Sequence, residues 1–117
     1  MSRYCTFCEI VAGRLPSRIV HEEPDILVFR NQLDWFPVQL LIVPTEHMTQ
    51  EELWSSGGLL GRIGQLAVKL GSKSSPDGYR IVSNFGRDGL QTQPHGHIHV
   101  VGGSPLGLYV RNPVGLY

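Results

Sequence analysis

Three histidines occupy alternate positions in the run His95-Gly96-His97-Ile98-His99-Val100-Val101. On a β-strand, side chains alternate between faces, so the three imidazoles would point one way and Ile98 and Val100 the other. A single histidine can be buried and satisfied by a hydrogen bond, but a core has no use for a row of three. Such a row suits metal ligation, or nucleophilic and acid–base chemistry on phosphate. A neutral imidazole is a competent nucleophile near neutral pH, because its unperturbed pKa is about 6.5.

The stretch leading into the row favours phosphate. Asn84, Gly86, Gly89, Gln91 and Thr92 offer backbone amides and short polar side chains without a cluster of carboxylates. Loops of this kind wrap phosphoryl oxygens through N–H donors. Arg87 and Asp88 are read as solvent-facing. Cys5 and Cys8 are the only cysteines, and in a reducing compartment that spacing suits metal ligands or plain thiols better than a structural disulfide. His21 has no evident partner and is read as an exposed strand residue.

The elements that must position these residues follow from pattern. Thr6 to Ala12 predicts a short helix that Gly13 ends in a left-handed cap. Ser17 to His21 and Ile26 to Arg30 predict two strands joined through Glu22-Glu23-Pro24-Asp25. Asn31 to Pro37 reads as a loop, and Val38 to Val43 as a buried strand stopped by Pro44. Thr49-Gln50-Glu51-Glu52 is a capping box that starts a helix. Leu59, Ile63, Leu66, Ala67 and Leu70 continue at helical spacing. Gly57-Gly58 would cost about 1 kcal/mol each inside that helix, which predicts a kink or two consecutive helices. Gly71 and the polar stretch Ser72 to Asp77 end the element. Tyr79 to Ser83 and His95 to Val101 complete about five strands. The expected class is α+β, with an antiparallel sheet, a long helical region and a short N-terminal helix.

Composition bounds the rest. The 117 residues, 41% hydrophobic and 17% charged, are one globular domain's worth of chain. No repeat or linker divides 1–117. Ten acidic and ten basic residues cancel, so there is no global field for nucleic acid or a membrane surface, and a phosphate ligand must be held by local donors. No apolar run approaches the roughly 20 residues of a membrane span, and the N-terminus lacks the apolar centre of a signal peptide, so the expectation is cytoplasmic. The apolar tail from Leu106 to Tyr117, within 105–117, is expected to pack on the sheet or on a partner subunit near the site.

The run His95 to Val101 resembles the signature of the histidine triad (HIT) family, His-φ-His-φ-His-φ-φ, with φ hydrophobic. The similarity extends outward in the family's order. Cys5-x-x-Cys8 followed by Glu9 to Gly13, Pro16 and Ser17 is similar to the N-terminus of the bacterial Hint-like branch. Leu41 to His47 resembles its strand-Pro-x-x-His element, Val82-Ser83-Asn84 and Gln91-Thr92 its phosphate loop, and Gly102-Gly103 its strand exit.

The resemblance implies an antiparallel sheet with a long helix, paired as a homodimer. It also implies hydrolysis or transfer of nucleotidyl groups at the α-phosphate of purine nucleoside phosphoramidates or related esters, with no organic cofactor. By position, His97 is the nucleophile that forms a covalent nucleotidyl-histidine, and His99 contacts the phosphate and assists the leaving group. Asn84, Gln91 and Thr92 surround the phosphate, and Asn31 stands where the family has a ribose-binding aspartate. Cys5, Cys8, His47 and His95 form a structural zinc site in that branch. Several positions depart from the pattern. Gly96 replaces a hydrophobic residue, which loosens the strand or admits close backbone contact. Leu90 stands in place of a glycine, Gln93 of a valine and Gln39 of a histidine. Two other functions stay open: a zinc-dependent hydrolase in which His97 and His99 bind catalytic metal, and a slow nucleotide-binding or scaffold protein with the same fold.

Overall fold

The computed structural model describes residues 4–107. Two short helices, one long helix and five strands follow the order α1 (Thr6–Val11), β1 (Ile19–Glu23), β2 (Ile26–Arg30), β3 (Val38–Pro44), α2 (Gln50–Trp54), α3 (Gly58–Ser74), β4 (Tyr79–Val82) and β5 (Ile98–Gly102). The strands form one antiparallel sheet in the order β1-β2-β3-β5-β4. Among the described residues no helix is long and apolar enough to cross a membrane.

The central strands β2 and β3 read as nearly unbroken apolar runs because both of their faces are covered. Toward α2 and α3 lie Ile26, Val28, Leu40, Ile42, Ile98 and Val100, packed on Leu53, Ile63, Leu66 and Ala67 of the helices. Toward α1 lie Leu27, Phe29, Leu41 and Val43, packed on Cys5, Phe7 and Ile10. Each large apolar side chain so buried contributes roughly 1.5–3 kcal/mol. The second layer matters most here, since it sets α1 against the face that the histidines share.

Several boundaries differ from the sequence pattern, each for a physical reason. The first hairpin turns on Pro24-Asp25 alone, and β1 reaches Glu23, because Glu22 pairs with Leu27 and Glu23 with Ile26. Charges that look like loop are at home on an exposed edge strand. His21, expected to have no partner, bonds through Nε2 to the Glu23 carboxylate at 2.8 Å on the same side of that strand. Glu23 and Asp25 also hold Arg62 of α3, at 2.8 and 2.5 Å. Gly57 adopts φ +65° between α2 and α3, so the Gly-Gly pair separates two helices. Gly71 does not end α3, which runs to Ser74. It is there because a Cβ would lie 2.5 Å from the Tyr79 ring. The strand predicted from His95 begins only at Ile98, with His95 in a bend. The tail expectation falls mainly on residues 108–117, outside the described residues.

Candidate active site

β5 runs between β3 and β4, and His99 lies opposite Leu41 and Val82. Alternation along β5 sends Ile98 and Val100 into the α3 layer and the histidines toward α1. The three imidazoles share one side even though His95 and His97 both precede the strand. The ring centroids of His97 and His99 are 5.0 Å apart, and Phe7 of α1 meets His97 edge-on at 5.2 Å and His95 at 5.9 Å.

His97 is buried, at 2% exposure. Its Nδ1 lies 2.8 Å from the His95 carbonyl oxygen. A carbonyl can only accept, so Nδ1 carries the proton and Nε2 keeps its lone pair. Burial holds His97 below the ordinary histidine pKa, against the opposing pull of that carbonyl bond. Burial, with His97 alongside, pulls His99 down to about 4. Both rings are neutral near pH 7.

The backbone of His97 is gripped by a residue that the sequence did not single out. Gln50, the first residue of α2, is fully buried. Its Oε1 accepts from the His97 N–H at 2.9 Å, and its Nε2 lies 3.0 Å from the His97 carbonyl, 3.1 Å from the Asn84 carbonyl and 3.1 Å from Ser83 Oγ. The capping box that begins α2 is complete, with Thr49 accepting from Glu52 N–H and Glu52 from Thr49 N–H. It sets the turn from which Gln50 reaches across. Glutamine at a helix start is ordinarily a surface residue, and no local signal marks this one. Gly96 is explained by the same contact: its N–H donates to the Met48 carbonyl at 2.7 Å, and a Cβ would lie 3.0 Å from the Thr49 oxygen. The backbone approaches closely, and a Cβ here would press on Thr49 and Leu53.

A cavity of about 220 Å³ opens beside the histidines. Phe7, Ile10, Phe29 and Leu41 form its apolar wall, and Asn31, Thr92, Gln93, His97 and His99 its polar one. Four of the expected ligand contacts thus gather here: Asn31, Thr92, His97 and His99. Gln93 joins them. Asn84 and Gln91 lie outside that lining and hold the loop's shape. Asn84 Nδ2 donates to the Gly89 carbonyl at 2.7 Å, and Gln91 Oε1 accepts from Gly86 N–H at 2.9 Å. The Leu90 and Gln91 amides donate within the loop, to the Arg87 and Gly86 carbonyls. Leu90 sits at φ +61°, the only non-glycine residue with positive φ among those described, and is 78% exposed. Gln39 accepts from the Phe36 N–H at 2.8 Å.

A second cluster adjoins the first. Ligand atoms of Cys5, Cys8, His47 and His95 lie within 4.8 Å of one another. Cys5 Sγ and Cys8 Sγ are each 3.5 Å from His95 Nδ1, and Cys8 Sγ is 3.4 Å from His47 Nδ1. Tetrahedral zinc, with bonds of about 2.3 Å to sulfur and 2.0–2.1 Å to nitrogen, requires S···N edges of about 3.6 Å. The spacing fits. His95 Nε2 donates to the Pro44 carbonyl at 2.8 Å, which leaves Nδ1 as the donor atom facing the thiols. This is the outer bond that ligating histidines make. Burial, with Cys5 alongside, pushes the Cys8 thiol up to about 11. A bound cation is what would draw the Cys8 thiol into its anionic form.

The model of the HIT domain family matches residues 12–106. The chain is 32% identical over 111 residues to the purine nucleoside phosphoramidase of Escherichia coli strain K12, covering 92% of this chain and 93% of that protein. Among solved structures, a HIT family hydrolase from Clostridium thermocellum superposes with a TM-score of 0.84 at 30% identity, over 95% of this chain and 100% of the other. One from Legionella pneumophila gives 0.78 at 34% identity, over 87% and 95%.

Proposed function

The chain belongs to the HIT domain family, and on that premise we propose that it hydrolyses or transfers nucleotidyl groups at the α-phosphate of purine nucleoside phosphoramidates or related esters. The observation that carries this reading is the bond from His97 Nδ1 to the His95 carbonyl. It turns an unprotonated Nε2 toward a cavity whose wall holds Thr92 and His99.

In the first step, Nε2 of His97 forms a bond to phosphorus and the bond to the leaving amine breaks. The amine departs with a proton delivered through His99. His99, neutral in the free protein, takes up a proton from solvent as the anionic phosphate raises its proton affinity, passes it to the leaving nitrogen, and in its neutral form then accepts the proton of the attacking water. Water then attacks phosphorus, the P–N bond to His97 breaks, and the nucleoside monophosphate leaves. The covalent intermediate divides one hard displacement into two easier ones. The apolar wall takes the base, and Asn31 bonds to ribose hydroxyls through its amide.

Zinc on Cys5, Cys8, His47 and His95 would tie α1 to the histidine segment, and no step of the phosphate chemistry runs through it. Reduced thiols suit the cytoplasm. A homodimer is supported by β4, which lies at the sheet edge with Ile81 41% exposed. A second reading, nucleotide binding with slow turnover, draws on the loop amides that are already bonded within 84–91. A catalytic zinc on His97 and His99 lacks support from a third ligand, since neither belongs to the cluster of possible metal ligands found among the described residues.

The test is incubation with adenosine 5′-phosphoramidate followed by product analysis and intact mass. Wild-type protein releases adenosine monophosphate and carries a nucleotidyl adduct when quenched. His97→Ala does neither. Turnover that survives in His97→Ala overturns the nucleophile; tight binding without turnover in the wild type favours the second reading.

A further inference from the structure

The reaction cavity is small. At about 220 Å³ it falls below the roughly 300–1,000 Å³ of ordinary ligand pockets. A nucleotide seated on His97 must therefore extend out of it. A larger hollow of about 550 Å³ adjoins it, and the two share Ser17, Arg30, Asn31, Gln32 and Leu33. His97, His99, Thr92 and Gln93 line only the smaller one. The hollow is thus entered from the end of the reaction cavity away from the histidines. Whatever occupies it is a substituent of the nucleoside, remote from the bond that breaks, and not the leaving group.

The chemistry of that hollow is cationic and rich in amides. Arg18 and Arg30 lie on its wall, the Arg30 guanidinium also donating to the Pro37 carbonyl at 3.3 Å; Asn31, Gln32 and Gln39 line it too, and Asp34 is the single acidic residue in the lining. The smaller cavity has no carboxylate in its lining. Asn31 sits at the junction. Its Oδ1 accepts from the Leu33 N–H at 3.0 Å, which leaves its NH₂ free of that bond and without negative charge to repel an anion. Guanidinium groups favour phosphate, whose several acceptor oxygens match their forked donors.

We infer that the hollow lined by Arg18 and Arg30 binds a second phosphate, carried on the ribose of the substrate nucleotide. This deepens the nucleotidyl-hydrolase reading and rests on it for the placement of the reacting phosphorus at His97. The preferred substrates are then purine nucleotides phosphorylated at the 2′ or 3′ position as well as activated at the 5′ phosphate.

Calorimetric titration of the full chain with adenosine 5′-monophosphate, adenosine 3′,5′-bisphosphate and adenosine 2′,5′-bisphosphate tests this without requiring turnover. One of the bisphosphates binds about tenfold more tightly than the monophosphate, as expected for charge-assisted bonds at a partly exposed site. Arg18→Gln with Arg30→Gln removes that preference. Asn31→Asp weakens the bisphosphate more than the monophosphate, and Asp34→Asn strengthens it. Equal affinity for all three nucleotides overturns the inference, as does a preference that survives loss of both arginines. If the bisphosphate preference holds but no phosphoramidate is cleaved, the hydrolase reading falls and the phosphate subsite stands. If cleavage holds without the preference, the reverse follows.

Discussion

The two sides of β5 make an instructive pair. Toward α3, Ile98 and Val100 are buried among Leu40, Ile42, Leu53 and Ile63. There volume and apolarity are what matter, and a similar hydrophobe could serve. Toward α1, one residue along in each case, His97 and His99 meet a face where the direction of polar atoms matters. His97 Nδ1 has the His95 carbonyl, His95 Nε2 has the Pro44 carbonyl, and the His97 backbone has Gln50. Among the described residues no buried side-chain nitrogen or oxygen lacks a hydrogen bond. One face is specified by packing and tolerates substitution. The other is specified by direction and does not.

The comparison is sharpest at neighbouring residues. His97→Ala should lower phosphoramidase kcat by on the order of 10⁴-fold, with only a modest change in thermal midpoint. Ile98→Ala should do the opposite, losing about 2–5 kcal/mol of stability while the folded enzyme keeps its kcat and KM. Steady-state kinetics and urea unfolding on both variants decide it. If Ile98→Ala cripples kcat in fully folded protein, the two sides cannot be separated in this way.

Gln50 tests whether direction can be set from a distance. Gln50→Met fills the space but leaves the His97 N–H and carbonyl unmatched, and should cost about 10²-fold in kcat, as small misplacements of a reacting group do. KM should hardly move. Gln50→Glu keeps the acceptor for the His97 N–H and should recover part of the loss; a purely structural role would lower stability and leave kcat per folded molecule unchanged.

Acid probes the same face. Burial, then His97, hold His99 at about 4 against an ordinary 6.5. Between those values the unfolded chain takes up a proton that the native ring refuses, so native stability falls as pH drops through that window. Urea midpoints across it should decline less steeply in His99→Gln. An identical decline would assign the acid sensitivity to other groups. The smallest effect is expected at Leu90→Gly, which relieves a left-handed backbone and should add about 0.5–1 kcal/mol. A loss of stability there would mean that the leucine side chain contributes more than its exposure suggests.

Much of the site was legible before any coordinates because it is written in periods. The i, i+2, i+4 spacing put the histidines on one side by strand alternation, although only His99 lies within β5; that the Cys-x-x-Cys pair meets His95 was what the resemblance implied. The capping box at Thr49 and Glu52 was equally local. Gln50, one residue into that box, was not legible. Its role depends on α2 lying beside the bend before β5, a contact between residues 47 apart in sequence. The phosphate loop was half legible. Its composition suggested donors for a ligand, but whether an amide bonds outward or within the loop is decided by backbone angles, and here Leu90 and Gln91 bond inward.

The amino-acid order alone determined the class of fold and the one-sided row of histidines, since these follow from short-range geometry; His97 as nucleophile and Cys5, Cys8, His47 and His95 as a ligand set were what the family resemblance implied. Tertiary structure decided which nitrogen of His97 is free, which polar residues reach the cavity, and that a basic hollow continues from it. Those depend on where one segment's carbonyls and charges fall relative to another's. No local pattern encodes that relation, because it exists only once distant strands and helices have packed.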